Sequence, residues 1–260
     1  MQDTSRIIVV GASAGGVAAL LRVVPHLSPT IAAPILLVLH IGAHRSQLAE
    51  LLDARGPLNA VTAEHGALPQ PGTIHIAPPD LHLTLEGGRM QLHYGPKEHH
   101  ARPAINPLFR SAALDCGSRV VGVVMTGAMD DGTEGLQAIK ACGGTTVVQD
   151  PDDAAEPAMP RSALANVEVD HVLRLGAIAG ALNALSHPLE SLARLTTPQW
   201  LPAEHAISLA ASDAQRLATS GAVPGLMCPR CGGVLLETDE AYPAGVLCHT
   251  GHAFGAAHSP

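Results

Sequence analysis

Residues 6–16 read Arg-Ile-Ile-Val-Val-Gly-Ala-Ser-Ala-Gly-Gly. A short unbroken apolar run, with no polar residue on alternate positions, is the pattern of a strand buried on both faces. The glycines then turn the chain, and Val17–Val24 reads as a helix closed by Pro25. Working outward, Ile35–Leu39, Val120–Met125 and Thr145–Gln149 repeat the buried-strand pattern. Helical stretches fall at Leu48–Ala54, Asn106–Cys116, Glu134–Ala141 and Gly176–Leu185, with a helix start at Pro160–Ala165. Thr73–Ala77, Leu81–Glu86 and Arg89–Tyr94 form a further strand group, and Glu86-Gly87-Gly88 is a hairpin turn between the last two. The expected fold is α/β: a doubly wound, mostly parallel sheet with a small antiparallel hairpin.

The composition agrees. The chain has 260 residues, 47% of them apolar and 15% charged, and a mean hydropathy of +0.21. Disorder needs the opposite balance. Aromatics are only 2%, so Val, Leu, Ile and Ala must build the core. A net charge of −8 without a basic run argues against nucleic acid as partner. The longest apolar runs are too short to span a bilayer, and the N-terminus lacks the pattern of an export signal. A cytoplasmic protein, not embedded in a membrane, is expected.

Gly11-Ala12-Ser13-Ala14-Gly15-Gly16 is not a dinucleotide loop. Ser13 occupies the position where a second glycine would let the backbone approach a pyrophosphate, and the next strand ends in His40 rather than an acid. No lysine follows to make a phosphate loop. The stretch does match G-x-S-x-G, in which a serine is lifted above the sheet on a sharp strand-to-helix turn. A plain tight turn with a capping serine satisfies the same residues.

A nucleophilic serine needs a base and an acid that orients it. In open α/β sheets such groups gather at strand C-terminal ends. His40 directly follows the strand Ile35–Leu39. Asp131 lies in the loop Thr126-Gly-Ala-Met-Asp-Asp-Gly132 after Val120–Met125, with Asp130 as its neighbour and competitor. The order Ser, His, Asp differs from that of α/β-hydrolases, which also place several strands before the serine.

Together IIVVGASAGG, LLVLH, GTIHIAPPDLHL, RPAINPLFRSAA, VGVVMTGAMDDGTEG and EPAMPRSAL resemble the chemotaxis protein-glutamate methylesterases, the CheB-type effector domain, over about residues 5–185. The resemblance implies hydrolysis of glutamyl methyl esters on chemoreceptors. It implies Ser13 as nucleophile, His40 as base and Asp131 as the triad acid, with no cofactor in the chemistry. Deamidation of receptor glutamines by the same nucleophile is a related possibility. N–H groups of the turn (Ala14, Gly15) and of the loop (Ala128, Met129) are the expected oxyanion donors. Arg102 is a candidate contact for acidic substrate, and Arg110 reads equally as a solvated or helix-capping residue.

The sequence departs from the family at Ala14, where a threonine is usual, and at Ala128 and Met129, where methionine and glycine are usual. Met129 is expected to narrow the site or to forbid a turn with positive φ. Chemotactic relatives carry an upstream receiver domain, whereas the esterase-like pattern here starts within the first ten residues. These departures keep a second function class open: a signalling module that retains the fold and binds a receptor-like or kinase partner without catalysis.

Residues 1–185 are thus expected to form the methylesterase-like domain and residues 186–224 a proline-containing linker with a short helix around Ala206–Ala218. Residues 225–260 are expected to be a small metal-binding unit. Cys228-Pro-Arg-Cys231 and, sixteen residues on, Cys248 with His252 (or His249) have the spacing of a four-ligand structural zinc site. Val234–Glu237 and Gly245–Cys248 would be two strands of a zinc ribbon.

Overall fold

The computed structural model describes residues 4–42, 46–190 and 197–208, together with three short strands near the C-terminus. Seven parallel strands form the central sheet: β1 (Ile7–Ala12), β2 (Ile35–Leu39), β3 (Asn59–Thr62), β4 (Thr73–Ile76), β7 (Val120–Val124), β8 (Thr145–Gln149) and β9 (His171–Leu173). Their spatial order is β3-β4-β2-β1-β7-β8-β9. Strands β5 (His82–Glu86) and β6 (Arg89–His93) pair antiparallel as a separate hairpin. The strand Thr73–Ile76, grouped with that hairpin from sequence, belongs instead to the main sheet, between β2 and β3.

The two-residue side-chain period divides the core. Ile8, Val10, Ile35, Leu37, Val121 and Val123 pack on one face under α1 (Gly16–Val23), α2 (Leu48–Asp53) and α6 (Leu175–Leu185). Ile7, Val9, Leu36, Val38, Val120 and Val124 face the hairpin and the helices α3 (Ile105–Cys116), α4 (Thr133–Ala141) and α5 (Ala158–Asn166). Burial on both sides explains why these strands lack polar alternation. Among the described residues no helix is long and apolar enough to cross a membrane.

Two elements differ from the sequence expectation. The segment expected as linker contains helix α7 at Trp200–Ser208, earlier than 206–218, whose later residues lie outside the described part. Pro202 sits in its first turn, where no backbone N–H is required, so proline starts this helix rather than breaking it. Leu201 is fully buried in the second core cluster, and Glu204 is buried against α3. Near the C-terminus, Leu235–Glu237 (β10) and Gly245–Cys248 (β11) pair antiparallel, and Ala253–Gly255 (β12) adds a third strand. Cys228, Cys231, His249 and His252 lie outside the described residues, so the expected ligand set is not placed.

Candidate active site

The winding of the sheet reverses between β1 and β7, and the crevice at their C-terminal ends is where open α/β sheets bind ligands. Ser13 follows β1. Its N–H donates to the Thr126 carbonyl after β7 (2.9 Å), which ties the serine turn to the neighbouring loop. Gly15 has φ +78, and a Cβ there would come within 2.8 Å of Ala155 Cβ, so the turn requires glycine. Gly127 lets the second loop close on the first: a Cβ on it would sit 2.8 Å from Ser13 Cβ. The Thr126 hydroxyl donates to the Ala14 carbonyl (2.9 Å) and accepts the Glu156 N–H (2.8 Å), bracing the crossing.

His40 follows β2, and its N–H donates to the Ala12 carbonyl (3.1 Å). Nδ1 lies 3.0 Å from Ser13 Oγ, and Nε2 lies 2.7 Å from Asp131 Oδ2. An ionised carboxylate only accepts, so the imidazole carries its proton on Nε2 and turns the Nδ1 lone pair to the serine hydroxyl. Ser13 is half-buried and Asp131 fully buried.

Asp131 is held at four points. Oδ2 accepts from His40 and from the Ile105 N–H (2.7 Å), while Oδ1 accepts the Asn106 (3.1 Å) and Gly132 (2.9 Å) N–H groups. Helix α3 has no side-chain cap of its own at Ala104, and Asp131 supplies one from across the chain. Burial opposes a charge on this carboxyl. The His40 bond, the charges of His99 and His40 and the Ile105 N–H outweigh it and hold the pKa well below the usual carboxylate range. The positive end of α3 favours the same ionised state.

The neighbouring acid points elsewhere. Asp130 Oδ1 lies 2.9 Å from Nδ1 of the buried His99. Burial disfavours a charged His99, but Asp130 and Glu134 raise its pKa well above the ordinary value. Asn106 connects this pair to the first: its Oδ1 accepts the Gly132 (3.0 Å) and Gly135 (2.8 Å) N–H groups, and its Nδ2 donates to Glu134 (3.0 Å). His99, Asn106, Thr126 and Glu134 were not identified from sequence. Helix starts at Asn106 and Glu134 and the loop Thr126–Gly132 were the signals near three of them, and none fell on His99.

The N–H groups of Ala14, Gly15, Ala128 and Met129 take part in no hydrogen bond among the described residues. They flank Ser13 on the two loops. Met129 adopts φ +66. The side chain therefore does not prevent the left-handed turn; it makes that turn strained. Arg102 lines a cavity of about 330 Å³ beside His40, together with Asp80, Lys97 and His100. Its guanidinium is already engaged: Nε and Nη2 bond Asp80, Nη1 bonds the Gly95 carbonyl, and the group stacks 3.5 Å from the Tyr94 ring centre. Arg102 thus shapes the wall of the cavity. Arg110, for which a contact to acidic substrate and a solvated or capping role were both open, is buried, with Glu98 bidentate at 2.6 Å and Glu204 at 3.3 Å.

Comparison with known proteins is consistent with this geometry. The family model described as CheB methylesterase matches residues 8–182. A putative protein-glutamate methylesterase/protein-glutamine glutaminase of Leptospira interrogans is 37% identical over 174 residues, covering 66% of this chain and 90% of the relative. The protein-glutamate methylesterase/protein-glutamine glutaminase of Pyrococcus abyssi is 38% identical over 174 residues, or 65% of this chain, but those span only 47% of that relative. The crystal structure of the Thermotoga maritima CheB methylesterase catalytic domain superposes with a TM-score of 0.67 at 33% identity, covering 70% of this chain and 98% of that one. With the family model spanning most of the sheet and the loops that carry Ser13, His40 and Asp131, the chain belongs to the CheB methylesterase family.

Proposed function

We propose that this chain hydrolyses glutamyl methyl esters on a chemoreceptor-like protein, with Ser13, His40 and Asp131 as its catalytic triad. The observation that carries the reading is the unbroken hydrogen-bond chain Ser13–His40–Asp131 at the switch point of a CheB-type sheet. Ser13 Oγ attacks the ester carbonyl as His40 Nδ1 takes its proton. Asp131 holds the Nε2–H and balances the imidazolium. The oxyanion is met by N–H groups from Ala14 and Gly15 on one loop and from Ala128 and Met129 on the other. His40 returns the proton to the departing methoxide, giving methanol. It then activates water to cleave the acyl-serine, leaving a glutamate side chain. The same attack on a glutamine γ-amide would release ammonia. No step requires a metal or an organic cofactor.

The test is methanol release from a methylated receptor fragment, compared with labelling of Ser13 by a fluorophosphonate. Turnover and labelling that both vanish in Ser13→Ala support the reading. A protein that neither turns over ester nor reacts with the probe is instead a binding module.

We also infer a structural zinc held by Cys228, Cys231, Cys248 and His252. The ligand spacing and the paired strands Leu235–Glu237 and Gly245–Cys248 support it. Metal analysis of protein never exposed to chelator should find about one zinc per chain. Cys231→Ser should lose it, and metal-free native protein would reject the assignment.

A further inference from the structure

Asp130 and Asp131 are consecutive, yet each is tied to a different histidine: Asp131 to His40 of the triad, Asp130 to His99. The second pair is buried too. An ionised carboxylate only accepts, so His99 Nδ1 carries the hydrogen and donates it to Asp130 Oδ1 (2.9 Å). The backbone on both sides of this bond is strained. His99 and His100 have φ +44 and +65, and Met129, which precedes Asp130, has φ +66. Left-handed residues other than glycine persist only where their surroundings over-determine them, and they cluster at functional sites. The Met129 turn is anchored on both sides. Upstream, the Gly127 N–H donates to the Glu156 carbonyl, and the Gly127 carbonyl accepts the Met159 N–H (both 2.9 Å). Downstream, the Asp130 side chain reaches His99, and its carbonyl accepts the Thr133 N–H (3.2 Å). The other ring nitrogen of His99 lies 3.1 Å from Asn106 Nδ2, and the Asn106 N–H donates to Asp131 Oδ1 (3.1 Å). His99 is therefore braced against the same helix start that fixes the triad acid.

From this second histidine–aspartate pair and the strained turn beside it, we propose that His99 is a positioning residue for ester hydrolysis: through Asp130 it holds the Met129 turn so that the Ala128 and Met129 N–H groups stay aimed at the oxyanion. The inference rests on the esterase reading and names what sets the donors on its second loop. The proton relay Ser13–His40–Asp131 does not pass through His99. The negative oxygen exists only once the ester carbonyl has been attacked, so a displaced turn weakens the transition state and leaves substrate binding nearly as it was. A misplacement of about 1 Å costs about 10²-fold in rate.

The test is methanol release from a methylated receptor fragment by full-chain variants, with kcat and KM resolved. Asp130→Ala and His99→Leu should each lower kcat about 10²-fold and change KM by less than about threefold. The double variant should lose little beyond either, because both substitutions cut the same bond. Asp130→Asn keeps an oxygen for the Nδ1–H. His99→Asn offers an amide N–H near the same point, in a residue type that tolerates a left-handed backbone. Each should recover most of the loss. Should His99→Leu not fold, Asp130→Ala against Asp130→Asn carries the same comparison. Losses that multiply toward about 10⁴ in the double variant, a raised KM at unchanged kcat, or equal turnover in the alanine and asparagine variants of Asp130 would overturn the proposal. Hydrogen exchange at the Met129 amide reads the turn without substrate and should quicken about tenfold or more in Asp130→Ala. If the wild type releases no methanol, the esterase reading has failed and this exchange alone decides: a rate equal to that of the wild type rejects the role of His99.

Discussion

Replacing Asp131 by asparagine tests the site at its most constrained atom pair. The carboxylate accepts from four donors, two on each oxygen: His40 and Ile105 on Oδ2, Asn106 and Gly132 on Oδ1. An amide offers one oxygen, so its NH₂ must face one of these pairs. Facing Oδ1's partners, the NH₂ meets only donors and orphans the buried Asn106 N–H, at about 1–3 kcal/mol, while the Gly132 N–H keeps Asn106 Oδ1 as acceptor. Facing Oδ2's partners, it orphans only the Ile105 N–H, because His40 can switch tautomer and accept at Nε2. Each arrangement orphans one donor, and the second is favoured by the hydrogen bond that its NH₂ donates to His40 Nε2, about 0.5–1.5 kcal/mol. It carries a catalytic penalty. With Nε2 accepting, the imidazole proton sits on Nδ1 and points at Ser13, so His40 no longer accepts the hydroxyl proton. The wrong tautomer costs serine hydrolases about 10⁴ in turnover. We therefore expect Asp131→Asn to lower methanol release about 10⁴-fold and stability by only about 1–3 kcal/mol in denaturant unfolding. The pH dependence has a fixed sign. A native carboxyl held below its unfolded value, about 3.9, stabilises the fold above that pH and loses the contribution as pH falls. The stability gap between wild type and Asp131→Asn should thus be full at neutral pH and close on acidification below about pH 4. A variant retaining a tenth or more of wild-type turnover would refute the tautomer argument.

Ser13→Ala and His40→Ala should each remove about 10⁴-fold or more of ester hydrolysis, and the double variant little beyond either, because the residues act as a unit; independent, multiplying losses in turnover assays would count against a triad. Met129→Gly relieves a left-handed residue that costs about 1–2 kcal/mol, offset by about 0.5–1 kcal/mol of glycine entropy, so denaturant titration should show a net gain. Burial, reinforced by Glu134 and Glu98 and opposed by Arg110, pushes the Glu204 pKa up to about 8. The native state then keeps a proton that the unfolded chain releases above about pH 4.3, so wild-type stability falls as pH rises toward 8. In Glu204→Gln that slope should disappear, and thermal midpoints measured across pH should favour the variant increasingly up to pH 8.5; parallel profiles would show that Glu204 is ionised throughout.

The central strands β1, β2, β7 and β8 were legible because burial on both faces writes an unbroken apolar run. The outer strands were not. β3 reads Asn-Ala-Val-Thr with only Ala60 buried, and β9 is three residues with none buried, so neither carries a hydrophobic signature. They are strands because a neighbouring edge supplies hydrogen bonds, which is tertiary information. Ser13, His40 and Asp131 were readable because each follows a buried strand or its loop. His99 and Asn106 were not, since nothing local distinguishes a histidine or asparagine that will be buried from one left in water. Prolines 198 and 202 misled in the other direction: the same residue punctuates a linker and opens a helix, and only the burial of Leu201 distinguishes the two.

Ser13, His40 and the Thr126–Asp131 loop stand on three adjacent strands, β1, β2 and β7, whose ladder pairs Ile8 with Ile35 on one side and with Val121 on the other. The spacing of the reactive atoms is therefore a property of the ladder's alignment rather than of any one loop. A one-residue slip would displace His40 from Ser13 by about 3.3 Å and turn every core side chain of the strand to the wrong face. No partly opened form of the molecule can keep the serine reactive while the sheet is disordered. Reactivity toward a fluorophosphonate thus doubles as a gauge of whether the middle of the sheet is intact, and on heating it should vanish together with the cooperative melting of the core.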